Sequence, residues 1–268
     1  MNLSPDLTMT EHPAWLPFGG GHRRVFASPN GGRHLCVVNG RDVETQPLAD
    51  GTEPTSDAFA LKPGTLNDLP QLAGSLNGLG AVARFRNADL WDAIGTAIIR
   101  QVIRAGQSKK LYRAFCQSYG ERVALPDGDS YPLFPSPEAV LDLTGEQFAS
   151  IGMAFKRRPL MAAAEAYLER GEKWRDLSTH ALIDELQIVP RIGVWTAQAT
   201  VADWSNDWAL YPYTDLAVRT WATRAASSYQ WPTDEPTFGA TWRALAGDQL
   251  SAITLLTLAW GHRHGDIG

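Results

Sequence analysis

After residue 89 the apolar residues of this chain recur at helical spacing. Leu90, Ala93, Ile94, Ala97, Ile98 and Val102 share one face of a helix predicted over 90–103, which Asp89 can cap. A second helix is predicted over 108–119, closed by Gly120. Ser136-Pro137 opens a third, with proline at the first helical position, and Thr144-x-x-Gln147 is a capping box for a fourth. An Ala-rich helix follows over 158–170, stopped by Gly171, and further helices are predicted over 179–187, 194–203, 216–227 and 249–260. The first 88 residues read differently. Short β-prone runs at 24–28 and 34–38 flank the turn Pro29-Asn30-Gly31-Gly32, and Asn39-Gly40 fits a type I′ hairpin turn into 42–45. That makes a three-stranded antiparallel meander. From 46 to 80 the text is rich in Pro, Gly, Asp and Thr, a poor setting for long helices. The expected architecture is mainly α, with a small mixed α/β domain with antiparallel strands at 1–88 and an all-α domain at 89–268.

Composition fits this picture. The chain has 268 residues, 44% apolar and 20% charged, which excludes a disordered protein. With Cys36 and Cys116 as its only cysteines it has no disulfide framework and no four-cysteine zinc or iron–sulfur site. A reducing, cytoplasmic setting is the plain expectation. Met1 to Thr10 lack a basic region followed by an apolar run, so no signal peptide is expected, and no apolar stretch approaches the ~20 residues that cross a bilayer. A net charge of −5 argues against coating nucleic acid by bulk charge.

Local charge is uneven. Between Arg86 and Gly120 six basic residues (Arg86, Arg100, Arg104, Lys109, Lys110 and Arg113) stand against two acids, and Lys156-Arg157-Arg158 is a second basic cluster. Eight of the ten tryptophans lie after residue 170. Basic patches among aromatics can serve nucleic acid, with cations on phosphates and rings on bases; solvated helix faces and core tryptophans are the plainer reading. Gly78-Leu79-Gly80-Ala81-Val82-Ala83 has a dinucleotide-like spacing but no preceding β-run, and Gly19-Gly20-Gly21 reads as a flexible link. His262 and His264 lack further ligands at metal spacing and read as a frayed tail, so no metal site is expected.

Residues 182–199 read LIDELQIVPRIGVWTAQA: two short helices joined at the tight turn Pro190-Arg191-Ile192-Gly193. Backbone N–H groups at the start of the second helix lack helical acceptors and can bind a phosphate, which needs no lysine. A plain helical hairpin remains the alternative. Downstream, Tyr211-Pro212-Tyr213-Thr214-Asp215-Leu216-Ala217-Val218-Arg219 places Asp215 where a helix begins. The aspartate could simply cap that helix, or it could be a carboxylate held there for chemistry.

These two segments resemble the helix-hairpin-helix DNA glycosylases, in particular their 3-methyladenine DNA glycosylase II branch. Leu186–Ala197, LQIVPRIGVWTA, resembles the family hairpin L-x-x-[IL]-P-G-[IV]-G-x-W-T-A, and 212–219 fits the pattern P-x-x-D-x-x-[IV]-[KR] around its catalytic aspartate. Residues 92–111 resemble the first core helix and its following turn, and Ile151-Gly152-Met153-Ala154-Phe155-Lys156-Arg157 the element G-[ML]-x-x-x-[KR]. The likeness runs from about residue 84 to about 261. It implies a monofunctional glycosylase that flips out and excises an alkylated, 3-methyladenine-like or otherwise modified base, starting base excision repair. By the resemblance, Asp215 stabilises the oxocarbenium-like sugar and orients water, and Trp195 stacks on the flipped base. Val102 would be the wedge filling the vacated stack, with Gln101 its polar neighbour. Lys109, Lys110, Pro190, Arg191, Gly193, Thr196 and Arg219 would contact DNA. Trp195 stands where strand-cutting relatives keep a nucleophilic lysine, so no imine is expected. The implied partner is double-stranded DNA with damaged or modified bases, no membrane is involved, and a monomer, nucleoid-associated when bound, is expected. No cofactor is implied beyond a monovalent cation at the hairpin. The sequence departs from the pattern at Arg191, in place of the first hairpin glycine, at Ala199, where the branch often carries an aromatic and which would widen the pocket, and near 247–251, which lack a Trp-containing motif. These departures leave room for a bulky adduct or hypermodified base as substrate, or for a non-catalytic DNA-binding protein on the same scaffold.

Overall fold

A computed structural model describes residues 5–265; the first four positions of the segment searched for a leader lie outside the described residues. The strands are β1 (Leu7–Thr8), β2 (Leu16–Phe18), β3 (Gly21–Ala27), β4 (Arg33–Asn39), β5 (Asp42–Ala49), β6 (Ser56–Phe59), β7 (Val82–Phe85), β8 (Arg122–Ala124) and β9 (Ser130–Pro132). The helices are α1 (Pro70–Asn77), α2 (Leu90–Arg100), α3 (Ala105–Tyr119), α4 (Pro137–Asp142), α5 (Gly145–Ser150), α6 (Arg157–Arg175), α7 (Thr179–Gln187), α8 (Val194–Ser205), α9 (Leu216–Ala225), α10 (Glu235–Ala246) and α11 (Leu250–His264). Two compact units emerge. One combines Met1–Glu11, Ser56–Arg86 and Asn206–Gly268, and the other combines His12–Thr55 and Asn87–Ser205. The chain passes between them at 86/87, beside the single boundary expected at 88, and also at 11/12, 55/56 and 205/206. The N-terminal strands are thus divided between the units.

In the second unit β2, β3, β4 and β5 form an antiparallel sheet in chain order, so the expected meander gains a fourth strand. Asn39 pairs with Asp42, which makes Gly40-Arg41 the turn; only Gly40 has a positive φ, 63°, so this is not the type I′ turn expected one residue earlier. The helical part starts with α2, buried from Leu90 to Ile99 and capped by Asp89, whose carboxylate accepts the Trp91 N–H at 2.9 Å. The second unit also contains the hairpin β8–β9, within the stretch expected to be all-α. The Ser136 cap and the Thr144/Gln147 capping box form as read. Gly171 does not stop α6: the next turn buries Trp174 completely, which outweighs the ~1 kcal/mol that glycine costs a helix.

A buried polar network lies beside α2. The Asp92 carboxylate accepts from Arg24 Nη2 (3.3 Å), Asn87 Nδ2 (3.2 Å), Thr96 Oγ1 (3.2 Å) and Tyr112 OH (2.8 Å), and Asn87 also donates to Asp203 Oδ2 at 2.9 Å. Burial, and then repulsion from Asp92, pushes the Asp89 carboxyl up to about 7. A carboxyl raised on folding contributes stability that is complete below about pH 4 and is lost as pH rises through about 7. Asp89→Asn retains a capping oxygen but has no charge to bury. The variant is expected to match the native melting temperature at pH 4 and to exceed it at pH 8; equal differences at both pH values would contradict this.

In the first unit β7 is the central strand, parallel to β1 and antiparallel to β6. Helix α1, in the stretch read as poor for long helices, has eight residues and packs on α9 and α11 through Leu72 and Leu76. Helix α10, which periodicity did not pick out, is capped by Asp234 and buries Phe238 and Trp242. The tail read as frayed is helical to His264, whose imidazole stacks on Trp260 at 4.7 Å. Arg84, buried on β7, donates to Glu11 Oε1 (2.9 Å) and Asn206 Oδ1 (2.7 Å) and lies over the Trp208 ring at 4.7 Å.

Candidate active site

In the second unit α7 and α8 form the predicted hairpin. Val189 and Ile192 are buried and anchor the turn, while Pro190, Arg191, Gly193 and Val194 are exposed. The Ala197 N–H closes onto Gly193 O at 3.0 Å, so the amides of 194–196 precede the first helical hydrogen bond. Gly193 has an ordinary φ, and a Cβ there would meet nothing within 4 Å. The chain's own packing therefore does not require glycine at this position. Arg191, where the resembled pattern has glycine, has φ 70°, in the left-handed region that favours glycine. A side chain there costs about 1–2 kcal/mol. Arg191→Gly is expected to raise stability by a net ~0.5–1 kcal/mol, the extra freedom of unfolded glycine offsetting part of the gain. If the guanidinium meets a phosphate, the same variant lowers the salt slope of DNA binding by about 0.9. Urea unfolding and titrations at several salt concentrations check the two effects.

The turn after α2 is strained. Gln101 leaves the helix with ψ 129°, and Val102 follows at φ 61° with its side chain fully exposed. A β-branched residue in this region is a true outlier and needs outside support. Because of this turn the helix expected to reach 103 ends at Arg100. Gln101 Nε2 donates to Arg191 O (3.1 Å) and to Thr196 Oγ1 (2.8 Å). Thr196 is buried, and its hydroxyl braces the hairpin against the Val102 turn. The Lys156 ammonium is buried, donates to Ile98 O (2.8 Å) and Gln101 O (2.7 Å), and lies 5.1 Å from the Phe155 ring. Burial lowers its pKa to about 8.

Trp195 is half-buried, with the Arg100 guanidinium 5.8 Å from its ring centre. Ala199, on α8, is buried. On α3, Lys110 is exposed and Lys109 half-buried, while Arg113 is committed to Pro13 O and Trp15 O.

In the first unit Asp215 stands at the N-cap of α9, behind a turn closed by its own N–H to Pro212 O at 2.7 Å. Its side chain makes no capping hydrogen bond. Its Oδ2 accepts from Tyr211 OH at 3.1 Å, and Tyr211 is itself buried. The plain capping role therefore does not explain this carboxylate. Arg219, four residues on, donates to Thr233 O and Glu235 Oε1, both at 3.1 Å. Sequence reasoning missed Tyr211 as the partner of Asp215, and read Lys156 only as one of a run of three cations, on a solvated face or facing nucleic acid. No cluster of metal-ligating side chains occurs among the described residues, and none of their helices is long and apolar enough to cross a membrane.

No protein-family model matches the chain, and no curated protein matches it. Solved structures do. A 3-methyladenine DNA glycosylase from Archaeoglobus fulgidus is similar over 95% of this chain and 92% of its own, with TM-score 0.71 and 16% identity. An 8-oxoguanine glycosylase/lyase from Clostridium acetobutylicum, in complex with double-stranded DNA, is similar over 90% and 87%, with TM-score 0.63 and 16% identity. The Schizosaccharomyces pombe 3-methyladenine DNA glycosylase in complex with abasic DNA covers 68% and 84%, with TM-score 0.53 and 20% identity. The fold is that of the helical helix-hairpin-helix DNA glycosylases, with antiparallel sheet in the N-terminal region.

Proposed function

We propose that this protein is a monofunctional DNA N-glycosylase acting on alkylated, 3-methyladenine-like or otherwise modified bases in double-stranded DNA. The observation that carries the reading is Asp215, a carboxylate set at a helix start by the Pro212 turn that does not cap the helix. Breaking the bond between C1′ and the base leaves the electron pair on the base and positive charge on the sugar. An ionised, preorganised carboxylate stabilises that charge and orients the water that attacks C1′, whose proton passes to solvent. The base must leave the stack to react. Trp195 stacks on the flipped base, and an alkylated purine, being cationic, is attracted to an indole face. Val102 fills the gap, and the amides opening α8 hold a backbone phosphate beside Gly193. The neighbours named for 3-methyladenine and 8-oxoguanine support base removal without choosing between these substrates. The reading calls on no cofactor, a monomer suffices, and the cytoplasmic nucleoid is the proposed place of work.

Incubation with genomic DNA carrying mixed alkyl lesions, with freed bases identified by mass, tests the activity. The expected products are a free base and an intact abasic strand that breaks only on alkali or heat. Borohydride is expected to trap no covalent complex: Trp195 replaces the lysine, and the Lys156 amine is bonded to two carbonyls. A trapped complex lost on changing a single lysine overturns the monofunctional reading. Tight binding with no base released points to a non-catalytic binder.

A further inference from the structure

A wedge works only if it is rigid before DNA arrives; the Gln101 side chain braces the 101–103 turn against the hairpin, but neither of its bonds reaches the turn's own backbone. Val102 at φ 61° strains the backbone, and its exposed side chain gains no packing. Helix α2 also ends here, where Ile98 O holds the Gln101 N–H only at 3.3 Å and keeps room for a second donor. One buried group meets both needs. The Lys156 ammonium reaches Ile98 O at 2.8 Å, within the last turn of α2, and Gln101 O at 2.7 Å, on the residue preceding Val102. It thereby spans the point where the helix stops and the strained turn begins. A cation also suits a helix C-terminus electrostatically. The Phe155 ring lies 5.1 Å away, and no carboxylate bonds the ammonium among the described residues. A surface lysine gains nothing from such burial, and a merely structural core position would favour an apolar side chain.

We propose that Lys156 is a positioning residue: its ammonium clamps the end of α2 to the Val102 turn and holds the wedge in its strained, insertion-ready conformation. The inference rests on the glycosylase reading but concerns the step before chemistry, so it can be tested without turnover. Burial alone lowers the ammonium's pKa to about 8. The charged side chains at the ends of the two helices it joins are Arg100, at the end of α2, and Arg157 and Arg158, at the start of α6. Above about pH 8 the charge-assisted bonds become ordinary ones and the clamp weakens. Global stability moves the other way: the folded form disfavours the charged amine, so this group's contribution rises with pH from about 8 towards the unfolded value of 10.5.

The probe is a duplex with a tetrahydrofuran abasic analogue flanked by 2-aminopurine, whose fluorescence rises when the wedge unstacks it, read at saturating protein. Lys156→Met is expected to stay folded, to bind the duplex and to lower the unstacking equilibrium about tenfold. Val102→Ala is expected to lose as much, and the double variant no more than either single one, because both act through the same turn. Native unstacking should fall as pH passes about 8 while the melting temperature does not, and Lys156→Arg, charged throughout, should restore the signal without the pH step. Native unstacking that is flat from pH 6.5 to 9.5 overturns the clamp even if Lys156→Met fails to fold. So does loss in the double variant equal to the sum of two independent losses, or full unstacking by Lys156→Met. In each of these cases the glycosylase reading stands. Failure of the native protein to bind or unstack the duplex sinks that reading, and the clamp with it.

Discussion

Asp215→Asn is expected to release base at least ~10³-fold more slowly than the native protein, with its stability and its affinity for an abasic-site duplex unchanged. The expected selectivity follows from the local geometry. The substitution keeps the side chain's shape and an oxygen for the Tyr211 hydroxyl, which lies 3.1 Å from the carboxylate. It removes no capping bond, because none is made. What it removes is the negative charge, which matters only once the sugar becomes positive. Single-turnover release on whichever base proves to be the substrate, alongside melting and DNA titration, separates the two effects. Native rates in the variant would refute the assignment. A parallel loss of stability would return Asp215 to a structural role.

The largest expected effect on stability lies at Asp92. Asp92→Ala lowers the unfolding free energy by about 3–5 kcal/mol, because it leaves the buried Arg24 guanidinium without its carboxylate and strips acceptors from Asn87, Thr96 and Tyr112. Asp92→Asn, which keeps one acceptor oxygen but not the charge, is expected to cost less. Burial raises the Asp92 carboxyl's pKa above the ordinary carboxylate range, while Arg24 opposes the shift. Urea unfolding measures both variants, and a loss below about 1 kcal/mol for alanine would show that solvent reaches the network.

Local chemistry was legible wherever it is decided within a few residues. Asp89, Ser136 and Thr144 cap the helices they were read to cap, because an N-cap is a bond between one side chain and an amide two or three positions on. The hairpin at 182–199 and the helix start at Asp215 were readable for the same reason: proline and glycine punctuate a chain locally. The errors fall where distant residues decide. Gly171 reads as a stop, yet Trp174 finds full burial one turn later and the helix continues. Nor does the local pattern around Arg219 show Glu235, sixteen positions away, which accepts from its guanidinium.

The sequence alone therefore determined the helical class, the order of most elements, the hairpin and the position of the carboxylate, since each rests on period and punctuation within one segment. The tertiary structure decided what those segments do. It showed that Asp215 turns to Tyr211 and does not cap. It showed that Val102 stands exposed at a positive φ, and that a lysine fifty-four residues further on holds the turn before it. It also showed that residues from the N-terminal strands and from three later stretches converge on one buried carboxylate network. None of these leaves a mark in the local pattern. A buried ion or a strained backbone is stable only when partners from elsewhere in the chain surround it, and which partners meet is fixed by packing across the fold.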